Sequence, residues 1–230
     1  MIFLYYDNPR MLKIQIRYWN SYAGILTQIP EILLVDDSSP RTNAAKIVKK
    51  VGCEIPIRIF RINENIQWNM PGARNLGCHH AKGWIYMSDI DTVIPKVEAK
   101  KLFEKYPLDE NCFYMPKRVW LPGSTPAAPA IVNLLYHKSQ YQKIGGYDED
   151  YSGSYYKEDV DYIERLKRSI PMVERNDVTI KVVHHSVVSD SRTRGMSRDR
   201  SRNQQLFQEK EALGFPKPIN PLRFSWEREL

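Results

Sequence analysis

Residues 31–52 read EILLVDDSSPRTNAAKIVKKVG. Ile32 to Val35 is an unbroken apolar run, as expected of a strand buried on both faces in a parallel sheet. It stops at Asp36 and Asp37. Ser39 and Pro40 then open a helix, and Gly52 stands where a helix C-terminus favours glycine. The stretch therefore reads strand, turn, helix.

The same alternation extends in both directions. Upstream, "IFLYY" (2–6) is a short apolar run, and Asn8-Pro9 starts a helix with proline at its first position. Leu12, Ile16 and Trp19 follow at i, i+4 and i+7, one buried face. Downstream, "IPIRIF" is a third strand, and Pro71-Gly72 leads into the helix "ARNLGCHHAKG". A fourth strand, "WIYMSDIDTVIP" (84–95), runs into Asp89 and Asp91. This βαβαβαβ order predicts an α/β fold with a mostly parallel sheet flanked by helices. Ligands of such sheets bind at the carboxyl ends of the strands, where Asp36, Asp37, Asp89 and Asp91 all fall.

The second half is less regular. A helix over Pro95–Tyr106, a strand "CFYMPKRVW" and a loop "LPGSTPAAPA" come first. Then follow a strand "IVNLLYHK", a short helix stopped by Gly145-Gly146, a helix "KEDVDYIERLKRS" and a strand "VTIKVVHH". Residues 186–202 are strongly basic and read as a mobile loop or lid. A last helix, "NQQLFQEKEALG", precedes a proline-rich tail. The expected organisation is one domain over residues 1–215 with a tail over 216–230.

The 230 residues are 42% hydrophobic and 27% charged, enough for a substantial core. The net charge of +7 favours anionic partners. Cys53, Cys78 and Cys112 show no C-x-x-C pairing, so they read as core residues of a reducing compartment. No apolar run approaches the ~20 residues of a membrane span. "MIFLYYDNPR" is interrupted too soon to be a signal peptide. These features predict a cytoplasmic protein without integral membrane contact.

Singly, each motif has a plain structural reading: a turn at "VDDSSP", a solvated loop at "SDID", a dipole-compensated first helical turn at "KEDVD". As an ordered set they resemble the GT-A nucleotide-sugar glycosyltransferases of the family-2-like group. Late motifs, "IGGYDEDY", "KEDVDYIERL" and "VVHHS", are similar to those of the β-1,4-galactosyltransferases. The resemblance runs from Ile2 to about His185. It implies transfer from a nucleotide sugar, in this family commonly a UDP-sugar, to a saccharide or other acceptor hydroxyl. It implies Mn²⁺ or Mg²⁺ on Asp91 and a histidine, with Asp89 contributing to the metal site or lying nearer the ribose. His185 is chosen over His184 by the H-S pair, and strand alternation would send the two to opposite faces. Asp37, with its neighbour Asp36, would accept a hydrogen bond from the base, Tyr6 would pack on the ring, and Arg74 would reach the phosphate or nucleotide edge. Asp159 would be the general base of an inverting reaction, and Glu158 would orient acceptor or donor. Asp161 reads as capping or solvated, His79 and His80 as non-functional, and Tyr155 and Tyr156 as stacking surfaces for sugars. Gly145-Gly146 would let backbone approach the donor. Arg192, Arg194, Arg198, Arg200 and Arg202 would form a lid over the pyrophosphate, with Gly195 as its hinge, or a patch for an anionic acceptor.

Two other classes fit parts of the chain. A nucleotidyltransferase shares a related sheet but announces a glycine-rich phosphate loop after the first strand, which "YYDNPR" is not. A basic nucleic-acid-binding protein suits the charge, yet the aromatics are not interleaved with basic residues and no recognition motif is present.

Overall fold

The computed structural model describes residues 1–27, 30–104, 108–128, 131–189, 195–219 and 221–230. Its first half is the expected alternation: β1 (Ile2–Tyr5), α1 (Pro9–Asn20), β2 (Ile32–Asp36), α2 (Ala44–Val51), β3 (Ile57–Ile62), α3 (Met70–His80) and β4 (Trp84–Asp89). Then come β5 (Thr92–Val93), α4 (Lys96–Glu104), β6 (Phe113–Leu121), β7 (Leu134–His137), α5 (Lys138–Ile144) and α6 (Glu158–Ser169). β8 (Met172–Val183), α7 (Ser201–Ala212) and β9 (Trp226–Arg228) complete the chain. Tyr106, expected in the fourth helix, lies outside the described residues, as do Arg192 and Arg194.

One mixed sheet has the order β5-β8-β6-β7-β4-β1-β2-β3-β9. β1 pairs in parallel with both β2 and β4, so the strand order reverses across β1. That reversal is the topological switch point at which open α/β sheets bind ligands. The register brings Tyr5 beside Asp36 and Leu4 beside Asp89, so the acids after β2 and β4 flank the end of β1.

Alternation along β1 and β2 builds two cores. Phe3, Tyr5, Ile32 and Leu34 face Leu12, Ile16 and Trp19 of α1, the three positions predicted from their spacing and all fully buried. Ile2, Leu4, Leu33 and Val35 face Ala73 and Leu76 of α3. Asn8 caps α1 by accepting from the Met11 amide, and Pro9 lies in its first turn. α2 starts later than Ser39-Pro40 suggested. Asn43 is its cap, accepting from the Lys46 amide, because residues 38–43 wrap around the Asp36 carboxylate instead of entering the helix.

β6 runs through Pro116 as expected, and a register shift between Pro116 and Lys117 absorbs the missing donor against β8. Two other expectations change. Residues 216–230 are not a tail beyond the domain: β9 extends the sheet antiparallel to β3, and Trp226 covers Phe60 and His80. Gly145 and Gly146 adopt left-handed φ of 84° and 78°, as a helix-ending turn requires. They face Lys217 and Asn75 instead of a ligand cavity. Among the described residues no helix is long and apolar enough to cross a membrane.

Candidate active site

A cavity of about 440 Å³ opens at the carboxyl ends of β1, β2 and β4. Of the site residues anticipated above, Tyr6, Asp37, Arg74, Asp89, Asp91, Glu158, Asp159 and His185 all line it. Asp36 does not. Its carboxylate is fully buried, accepts from the amides of Ser39 and Ala44 at 2.8 Å each, and is 3.3 Å from Arg61. Asp36 therefore shapes the turn after β2, and of the two neighbours only Asp37 lines the cavity.

Asp37 is 5% exposed, and its Oδ1 has no hydrogen-bond partner among the described residues. Burial, then the Asp36 charge, pushes its pKa up to about 8 against a smaller opposing effect of Asn69. A buried carboxyl oxygen left unmatched at a cavity wall is costly unless a ligand donates to it. Tyr6 follows β1 on the same rim, its hydroxyl donating to Asn65 at 3.3 Å.

Arg74 is neither a surface residue of α3 nor directed outward. It is 1% exposed, with Nη2 3.3 Å from Asp89 and Nη1 3.2 Å from Glu158, and it lies over the Tyr147 ring. Burial alone would lower its pKa, but the charges of Asp89 and Glu158 hold it above the ordinary value. Arg74 thus neutralises the space between the acids of β4 and those of α6.

Asp91 stands at the cavity mouth, reached by solvent but crowded by protein on its inner side. That crowding, with the neighbouring Asp89 charge, pushes its pKa up to about 6. Its carbonyl accepts from the Val183 amide at 2.8 Å, and Thr92 pairs with Val182. The two-residue strand β5 therefore pins the acidic loop to the end of β8 and brings His185 to the same wall. Strand alternation does not separate the histidines, because β8 ends at Val183. Their rings lie 3.9 Å apart, with His184 edge-on to Trp120 at 5.2 Å and its Nδ1 2.8 Å from the Ser186 hydroxyl. His185 lines the cavity and His184 does not.

The first turn of α6 supplies the other acids. Burial and the Asp159 charge push the Glu158 pKa up to about 7, against the opposing charge of Arg74. Burial also raises Asp159, again against Arg74. Asp161, read from the sequence as capping or solvated, is fully buried, paired with Arg165 at 2.7 Å, and does not line the cavity. His80 stacks on Phe60 at 4.0 Å.

Sequence reasoning missed Trp68 and Trp120, both in the cavity wall. Trp68 lies 4.7 Å from Tyr155 by ring centroid, and its indole N–H donates to the Ser197 carbonyl. A tryptophan isolated in the polar loop "INENIQWN" was the available signal. Trp68, Tyr156 and Lys157 have φ of 53°, 101° and 76°. Backbone strain of this kind in bulky residues concentrates at functional sites.

The donor set of Asp89, Asp91 and His185 offers hard oxygens plus one imidazole, which suits Mn²⁺ or Mg²⁺. Among the described residues no group of three or more His, Cys, Asp or Glu side chains is placed to hold a metal ion by itself. An ion here would need ligand oxygens to complete its coordination, the usual manner for these cations with phosphates.

Among solved structures, the chain is similar to Staphylococcus aureus TarS residues 1–349 in complex with UDP-GlcNAc. The TM-score is 0.63 at 13% identity, covering 80% of this chain and 57% of that one. It is also similar to the catalytic domain of Drosophila β1,4-galactosyltransferase 7 in complex with xylobiose. There the TM-score is 0.60 at 13% identity, covering 91% and 78% of the two chains. The chain thus spans little more than half of the TarS fragment, and at these identities the likeness is one of fold. No curated protein sequence matches it. The model of the glycosyl transferase family 2 matches residues 19–155, which include Asp37, Arg74, Asp89 and Asp91 and stop just short of Glu158 and Asp159. With more than half of its length matched and a GT-A sheet carrying the acids at its switch point, the chain belongs to glycosyl transferase family 2.

Proposed function

We propose that this protein is an inverting, divalent-metal-dependent glycosyltransferase that moves a sugar from a UDP-sugar to an acceptor hydroxyl. The observation that carries the reading is the cavity at the sheet's switch point. It joins Asp37, Asp89, Asp91 and His185 to the Glu158–Asp159 pair.

The chain's residues divide the work. Asp37, with its unmatched buried oxygen, accepts the imide N–H of uracil, and Tyr6 packs on the ring. Asp91 and His185, with Asp89 beside them, would hold Mn²⁺ or Mg²⁺. Such an ion supplies Lewis-acid stabilisation to a departing diphosphate. Asp89 is already paired with Arg74, so Asp91 is the principal acid. Asp159 accepts the acceptor proton as the hydroxyl attacks the anomeric carbon. Glu158, fixed by Arg74, keeps Asp159 oriented. Arg74 is buried between acids, so its part is to hold them together instead of reaching the phosphates.

Release of UDP from a panel of UDP-sugars, with and without Mn²⁺ and simple saccharide acceptors, tests the reading. At least one donor turning over only with metal is expected. No turnover of any UDP-, GDP- or deoxythymidine-diphosphate sugar would contradict it.

Two substitutions separate stability from function. Asp37→Asn removes a carboxyl whose folded pKa lies above its ordinary 3.8. Between about pH 4 and pH 8 the folded protein holds a proton that the unfolded chain has released. Wild-type stability from this group therefore falls as pH rises through that window. The Asn variant is expected to gain in Tm relative to wild type from pH 4 to pH 8 while binding UDP roughly tenfold more weakly. A Tm difference independent of pH would remove the assignment. Arg74→Ala strands Asp89 and Glu158 near each other. Partial exposure of Asp89 keeps the effect near the lower end for a broken buried pair, about 3 kcal/mol. The expected fall in Tm is roughly 6–12 °C by thermal denaturation, with Arg74→Lys recovering most of it.

A further inference from the structure

Two half-buried tryptophans line the cavity, and their surroundings differ. Trp68 is covered. It touches Tyr155, its indole N–H donates to the Ser197 carbonyl, and the Arg198 guanidinium lies 5.6 Å from its centroid. Trp120 carries no such cation. Among the described residues its one ring contact is the perpendicular one with His184, and its N–H has no hydrogen-bond partner. A perpendicular neighbour covers at most one face of an indole, so aromatic surface and a donor remain for the cavity.

The backbone holds this indole beside the acids. β6 pairs with β7 only at Phe113 and Tyr114, while its outer half, Lys117 to Leu121, pairs with β8. Val182 of β8 is flanked by Thr92 of β5 on one side and by Trp120 of β6 on the other. Two strand spacings, about 10 Å, therefore separate the backbone at Trp120 from that at Thr92, the residue next to Asp91. The Trp120 amide also donates to the Thr125 carbonyl at 2.9 Å, and the Leu121 carbonyl accepts from the His184 amide at 2.9 Å. A platform fixed in this way costs little ordering when a ligand lands on it.

A diphosphate held at Asp91 and His185 carries its sugar directly on the terminal phosphate, so that sugar lies next to this ribbon. A pyranose suits the gap, with its C–H face on the indole and a hydroxyl accepting from the indole N–H. Asp159 belongs instead to α6, which packs on α3, α5 and α7. An acceptor poised at Asp159 attacks from the side away from the diphosphate, whereas Trp120 shares its strand ribbon with Asp91. Resting on the transferase reading above, we infer that Trp120 is the platform of the donor-sugar subsite, stacking on the sugar that is transferred and taking no part in holding the nucleotide.

The test is calorimetric titration of the full chain with Mn²⁺ and no acceptor, using UDP, UDP-glucose, UDP-galactose, UDP-N-acetylglucosamine and UDP-xylose. Trp120→Leu keeps bulk against His184 but removes the flat face and the N–H. It is expected to bind UDP within about twofold of wild type, while its affinity for the best UDP-sugar falls roughly tenfold. Trp120→Phe, which restores a flat face, should recover most of that loss. The UDP titration shows in the same samples that each variant is folded. Equal weakening of UDP and the UDP-sugars by Trp120→Leu, or no weakening of any UDP-sugar, would overturn the inference. So would a wild type that binds UDP but none of the UDP-sugars. Those outcomes leave the nucleotide site standing. Absence of wild-type binding to UDP itself would sink the UDP-sugar reading, and the Trp120 assignment with it.

Discussion

Asp159→Asn is expected to lower the transfer kcat by roughly 10³-fold, within the span usual for loss of a general base, while UDP affinity stays near the wild-type value. Asparagine keeps the shape of the side chain and can still accept from the Val160 amide, as Asp159 does at 2.8 Å. It cannot take up the acceptor proton. The neighbouring acid is the internal comparison. Glu158 is tied to Arg74 at 3.2 Å, so Glu158→Gln should cost only about tenfold, through a less well-held Asp159. Steady-state kinetics with varied acceptor would check both. If the Glu158 variant proved the more damaged, the two roles would have to be exchanged.

Asp91→Ala should be at least as damaging, but by a different route. Losing the principal carboxylate for the cation removes several kcal/mol of stabilisation from the departing diphosphate, or roughly 10³-fold in kcat/KM. The fold should not suffer. Asp91 is a crowded carboxyl whose pKa is pushed up to about 6, beside a second acid. Removing it relieves repulsion, so Tm should stay level or rise slightly, as commonly happens when a functional site is neutralised. An inactive variant with a lowered Tm would point to a structural role for Asp91 instead.

These residues were legible in the sequence because their chemistry is tied to strand ends. The apolar run Ile32–Val35 and its counterparts place Asp37, Asp89 and Asp91 at the sheet's carboxyl edge by pattern alone. The helix stripe of Leu12, Ile16 and Trp19 is equally plain, since a periodic local pattern is enough to specify it. What escaped depends on contacts between distant parts of the chain. β5 and β9 span two and three residues, too short for any alternation to register. Yet β5 sets Asp91 beside the end of β8, and β9 closes the sheet edge with a segment that reads as a solvated tail. Asp36 and Asp37 are indistinguishable in "VDD"; only the turn around Ser39 and Ala44 shows that one is structural and the other faces the cavity. Arg74 resembles a surface arginine in the sequence because neither Asp89 nor Glu158 is its neighbour there. Trp68 and Tyr155 touch in the cavity wall, and their pairing is hidden for the same reason.

The most direct test of the central claim is a calorimetric titration of UDP into the wild-type protein, with and without Mn²⁺. The account predicts binding with a Kd of roughly micromolar order when Mn²⁺ is present, a Gibbs energy near −8 kcal/mol, and little heat once the metal is chelated. Equal binding with and without Mn²⁺ would contradict the role given to Asp91 and His185. No heat with UDP, GDP or deoxythymidine diphosphate would contradict the nucleotide-sugar site itself.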